Sequence, residues 1–136
     1  MHKFLAFAAL ACSLGSVSAA QAGDEAAPDL APACTERNPT GGDIRIVSCT
    51  LPPGRAHRLT FRFGGGHDDT SASLDARLDG QPTKCDAGSK TSLFGEDGDV
   101  SLHCGIAAGD GTAPRTLVVT VLWSHAQYRD FLVAAE

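Results

Sequence analysis

Two short runs in this chain hold residue types suited to ions and polar ligands. The first is Gly64-Gly65-Gly66-His67-Asp68-Asp69-Thr70-Ser71, and the second is Gly95-Glu96-Asp97-Gly98-Asp99. Carboxylates grouped on a Gly-punctuated loop are the oxygen donors that calcium gathers, about six to eight at a time. Asp68, Asp69, Glu96, Asp97 and Asp99 are therefore the candidate cation ligands. His67, Asp68, Asp69 and Thr70 are the candidate contacts for a polar ligand. The same residues have a plainer use, because Asp and Thr in turns hydrogen-bond to their own backbone. The EF-hand pattern, a D-x-[DN]-x-[DN]-G run leading to a glutamate at its twelfth position, is absent. Calcium is thus allowed by the loop chemistry without being specified by it, and no cofactor is required.

Other chemistries have weaker footing. Beyond the first 22 residues there are four histidines, His57, His67, His103 and His125, with no H-x-H, H-E-x-x-H or C-x-x-C spacing. A zinc or copper site would need the fold to bring them together. His125 beside Trp123 and Tyr128 suggests a polar–aromatic patch. Ser71 or Ser124 could be drawn into a triad with a histidine and an aspartate, but no G-x-S-x-G elbow marks either serine. Carboxylate pairs for glycoside hydrolysis can be drawn as freely from Asp68, Asp75 and Glu96. The sequence therefore favours a non-catalytic binding module that recognises a glycan, a protein or an envelope component. A metal-dependent protein, either calcium-stabilised or a periplasmic metal binder, is the alternative. A small hydrolase comes third.

Composition and targeting narrow the setting. Met1–Ala22 has a mildly positive start at His2 and Lys3, an apolar stretch from Phe4 to Leu14, and small residues up to Ala20-Gln21-Ala22. This is the pattern of a secretory signal peptide, with Gly23 as the first mature residue. The apolar run is short of the roughly 20 residues a membrane helix needs, so no transmembrane helix is expected after cleavage. Ala9-Leu10-Ala11-Cys12 loosely resembles a lipoprotein processing site, but alanine stands where leucine is usual. A secreted or periplasmic bacterial protein is the better reading. Removal of Lys3 leaves 10 basic residues against 16 acidic ones, a formal charge of −6. That balance argues against nucleic acid and anionic membrane surfaces as partners, since both select basic patches.

The elements that would position these loops read as β-structure. Residues 23–33 (GDEAAPDLAPA) form an acidic Ala/Pro leader, and a single domain is expected over 34–136. Ile44–Cys49 is a first strand, stopped by Pro52-Pro53-Gly54. The clearest alternation is His57, Leu59, Phe61 and Phe63 on one face against Arg58, Thr60 and Arg62 on the other. Ala72, Leu74, Ala76 and Leu78 alternate likewise, and a hairpin between the two runs would set Arg62 across from Asp75. Arg58, Thr60, Arg62, Ser73, Asp75 and Arg77 would then share one polar face. Asp79-Gly80 is a turn, and Pro82–Cys85 and Thr91–Phe94 are short edges. In Asp99–Cys104, Val100, Leu102 and Cys104 share a face, which points Cys104 inward. Thr116–Trp123 is apolar on both faces, which predicts a central strand covered on both sides. Residues 124–136 fit a helix capped by Ser124 and Gln127, or a closing strand through Phe131 and Val133, and the strand completes a sheet.

The expected fold is all-β, a small antiparallel two-sheet sandwich, immunoglobulin-like or jelly-roll-like. Four cysteines follow the signal segment, and an even count in a short exported chain reads as two disulfides. Nearest-neighbour pairing gives Cys34–Cys49 and Cys85–Cys104, one of three connectivities that four cysteines allow.

Overall fold

The computed structural model describes residues 32–85 and 92–136. The signal segment with Cys12, the leader through residue 31, and Thr91 lie outside the described residues. Within them the chain forms nine strands and no helix. These are β1 (Ala33–Arg37), β2 (Ile44–Leu51), β3 (His57–Gly66), β4 (Ser71–Leu78), β5 (Gln81–Thr83), β6 (Ser92–Phe94), β7 (Gly98–Ile106), β8 (Arg115–Ser124) and β9 (Gln127–Ala135). The larger sheet has the order β1-β2-β8-β4-β5, and β6 pairs with the other end of β4. The smaller sheet has the order β7-β3-β9. All neighbours are antiparallel. The fold is a small β-sandwich, and the final stretch is a strand.

Period-two alternation explains which faces meet. Leu59, Phe61 and Phe63 of β3 and Val100, Leu102, Cys104 and Ile106 of β7 bury one side of the smaller sheet. Val47, Cys49 and Leu51 of β2 and Leu117, Val119, Val121 and Trp123 of β8 bury the facing side of the larger one. Phe63 and Trp123 meet across the gap with ring centroids 5.7 Å apart. Cys34 and Cys49 are register partners in β1 and β2, and their disulfide spans 4.1 Å between Cα atoms. Cys85, just beyond β5, bonds Cys104 of β7 and so ties the two sheets together. The loops closed are 15 and 19 residues long. Each link contributes about 3 kcal/mol by constraining the unfolded chain.

Two expectations about neighbours are corrected. β3 and β4 form no hairpin, because they lie in different sheets. Alternation fixes which face of a strand is apolar, not which strand lies beside it. Arg62 therefore faces Asp130 of β9 and pairs with it through two hydrogen bonds, while Arg58 reaches Glu136 at 2.8 Å. Asp75 instead lies opposite Thr120 of β8, so the polar rows of β3 and β4 belong to opposite outer faces. The second correction concerns β8, which is central because it is hydrogen-bonded on both edges, to β2 and β4. Among the described residues it is covered on one side only, and Leu122 on its outer side is 51% exposed.

Two polar residues are buried among those described, His57 and Thr70, and His57 is the titratable one. His57 has no exposed surface, and neither ring nitrogen has a hydrogen-bond partner. Burial, and then the charge of Arg115, hold its pKa below the ordinary 6.5. Below about pH 6.5 the unfolded chain therefore binds a proton that the folded chain refuses. The sign follows directly. Stability is unaffected by His57 at higher pH and falls as pH drops beneath that value, by up to about 1.4 kcal/mol per pH unit. Urea unfolding at pH 7.5, 6.0 and 5.0 should show this extra acid loss in the native protein and a shallower decline in His57→Leu. Parallel declines would contradict it.

Candidate functional site

The strand ends at Gly66, Ser71, Gly98, Ser124 and Gln127 bring both acidic loops and the β8–β9 turn to one end of the sandwich. Thr70 holds them there. Its side chain is buried, and its Oγ1 accepts a hydrogen bond from the His67 amide at 2.6 Å and donates one to the His125 carbonyl at 2.7 Å. The Thr70 amide closes the turn by donating to the His67 carbonyl at 2.9 Å. Its carbonyl accepts from the Gly95 amide at 3.1 Å, which docks the second loop on the first. Thr70, a candidate ligand contact, is the internal fastener of the three segments.

Glycine makes the approach close enough. A Cβ on Gly66 would lie 2.5 Å from the Glu96 carbonyl oxygen and 3.1 Å from that of Gly98, so only a bare Cα fits. Gly64 is bare for a different reason, since a Cβ there would meet the Arg129 guanidinium lying across it. Arg129 in turn clamps Asp99 with two hydrogen bonds, at 2.8 and 3.3 Å. His125 has φ of 54°, an uncommon conformation for a residue with a Cβ. That backbone turn aims its carbonyl at Thr70, while its Nδ1 lies 3.2 Å from the Asp69 carbonyl and 3.4 Å from the Asp69 carboxylate.

The predicted residues thus fall into two groups. His67, Asp68, Asp69, Asp97 and Asp99 are exposed on this end, and Glu96 is half-buried between them. Asp99 is engaged by Arg129 and Asp69 by His125. Among the described residues no three His, Cys, Asp or Glu side chains are grouped so as to hold a metal ion. Ser71 and Ser124, the serines considered for a triad, hydrogen-bond to each other at 2.7 Å. His103 bonds to Thr60 at 3.0 Å on the outer face of the smaller sheet, away from the inward-facing His57.

Beneath the loops lies a layer that the loop sequences did not announce. Trp123 and Tyr128 stack with centroids 5.2 Å apart, and the Arg45 guanidinium lies 5.4 and 5.1 Å from the two rings. Glu36 pairs with Arg45 at 3.1 Å. Burial, and then the Glu36 charge, push the Tyr128 phenol well above its ordinary range. Of the patch expected from His125, Trp123 and Tyr128, the two rings do meet, with Arg45 as the cation over both, while the His125 ring turns to Asp69. One sequence signal was there to be read: Arg45 shares strand parity with Val47 and Cys49, which places it on the inner face.

The fastening is testable. Thr70→Val removes both side-chain hydrogen bonds and leaves the part-buried His67 amide and His125 carbonyl without that partner, a loss of about 1–2 kcal/mol. Asp68→Ala, at an exposed position, should stay within about 0.5 kcal/mol of the native protein. Urea unfolding of the two variants side by side would show the difference. Equal stabilities would remove Thr70 from this role.

No family model, curated protein or solved structure matches this chain. Its own residues carry the functional reading.

Proposed function

We propose that this protein is an exported, non-catalytic binding module that takes a protein, glycan or envelope component at the loop end of its sandwich. The observation that carries this reading is the locking of three segments by Thr70. His67, Asp68 and Asp69 project from a backbone held at both ends, so their geometry is set before a partner arrives, and preorganisation lowers the cost of binding. Polar loops on a rigid β scaffold are the usual place for recognition. The sign of the charge supports a partner that brings positive groups, because five carboxylates and no lysine lie on 64–70 and 95–99. Export fits the two disulfides, which persist in oxidising compartments.

The test pairs a loop variant with a cation series. Asp68→Ala/Asp69→Ala should retain the native melting temperature and lose capture of the partner from an envelope extract, whereas undiminished capture would move the site elsewhere. A melting temperature that falls in EDTA and recovers with calcium, zinc or copper would favour the metal-dependent alternative by mass action.

A further inference from the structure

The two outer faces of the sandwich differ in how their charges are paired. On the smaller sheet the outward charges satisfy one another across strands: Arg62 with Asp130, Arg58 with Glu136, and Thr60 with His103. That face's one large exposed apolar side chain among the described residues is Leu132 on β9, opposite Thr60 and 50% exposed. On the larger sheet the outward positions of β2 and β8 carry no charge and, apart from Ser48 and Ser124, are apolar or β-branched, with Ile44 directly opposite Leu122 and Ile46 directly opposite Thr120. Leu122, half exposed, stands on the mid-sheet strand β8, toward its C-terminal end. At the two sides of the face are charges of opposite sign. Arg37 on β1 and Asp75 on β4 lie in the same cross-strand row, Arg37-Ile46-Thr120-Asp75. Arg37 makes no ion pair among the described residues, and Asp75 has only a loose, exposed contact with Arg77 at 3.8 Å.

We infer that a second copy of this chain packs on the outer face of the larger sheet, about a two-fold axis running parallel to the strands between β2 and β8. Such an axis sets β2 on the partner's β8 and β1 on the partner's β4. Every row then meets its own reverse. Ile44 covers Leu122 of the other copy, Ile46 covers Thr120, and Arg37 meets Asp75, each contact occurring twice as an isologous interface requires. The remaining charge, Arg77, falls opposite the neutral Thr35, so no like charges are opposed. Strands of the two copies run in nearly the same direction, the aligned arrangement that twisted sheets adopt within about 30°. The inference is independent of the loop end, which this face does not include.

The five residues of β1 and about eight on each of β2, β8 and β4, with strands about 4.8 Å apart, give a footprint of roughly 450 Å² per copy. A stable interface of standard size covers about 800 Å² per partner. The association is accordingly of the weak, transient class, and it would be populated where the protein is concentrated.

Sedimentation velocity of the oxidised, exported protein between about 5 and 500 µM tests this. The weight-average mass should rise toward twice the monomer, and Leu122→Glu should hold it at the monomer. Arg37→Asp and Asp75→Arg should each weaken association about tenfold or more, while the double variant should return to within about threefold of the native protein. Arg37 and Asp75 are both exposed, so the exchange decides the question even if Leu122→Glu disturbs folding. A native protein that stays monomeric throughout, a dimer indifferent to Leu122→Glu, or single variants that weaken without rescue in the double would overturn the inference.

Discussion

Everything in this fold rests on two strands lying across from each other. β3 is the middle strand of the smaller sheet and β8 a middle strand of the larger, each hydrogen-bonded along both edges. Their inward rows, Leu59, Phe61 and Phe63 against Leu117, Val119, Val121 and Trp123, are all less than a tenth exposed. Full burial of one such side chain stabilises by about 1.5–3 kcal/mol, while ordering each residue costs about 1–2 kcal/mol of backbone entropy. A core this small leaves a narrow margin. The disulfides widen it where the core is thinnest, one at the β1 edge and one between the sheets. The chain crosses between sheets from β2 to β3, β3 to β4, β6 to β7, β7 to β8 and β8 to β9. Those crossings are what gather distant loops at one end.

The character of that end follows from what lies under it. The crossing from β3 to β4 must leave one sheet and enter the other, and it does so through three glycines and a turn closed by Thr70. The crossing from β8 to β9 does so through His125 in a left-handed conformation. Both turns meet at the buried Thr70 hydroxyl, above a floor of Trp123, Tyr128 and Arg45. The charged tips of Asp68 and Asp69 are therefore carried by backbone that the core itself positions. The outer face of the larger sheet is a second consequence of the same arrangement. With β8 in mid-sheet and nothing described over its outer side, its second apolar row is left at the surface.

Much of this was legible in the residues. The alternation from His57 to Phe63, the parity of Cys104 with Val100 and Leu102, the Asp79-Gly80 turn and the nearest-neighbour disulfides all express local rules, and all appear in the structure. The neighbours of β3 were not legible, because the partner of Arg62 is 68 residues away and alternation is silent about distance. The apolar outer row of β8 was visible in Val118 and Leu122, but an apolar pattern cannot distinguish a face covered by its own chain from one left open. At the candidate site the loops were found and their roles were not. Whether Thr70 points out to a ligand or in to a carbonyl depends on His125, which is 55 residues further on.

Native-state hydrogen exchange puts the central claim, that the loop end is an extension of the core, to its most direct trial. The amides of His67, Thr70 and Gly95 are the donors that fasten the three segments. They should exchange at least about a hundredfold more slowly than in an unstructured chain, with protection approaching that of the adjoining strand ends. Exchange of these three amides at the unstructured rate, while β3 and β8 stay protected, would contradict the account.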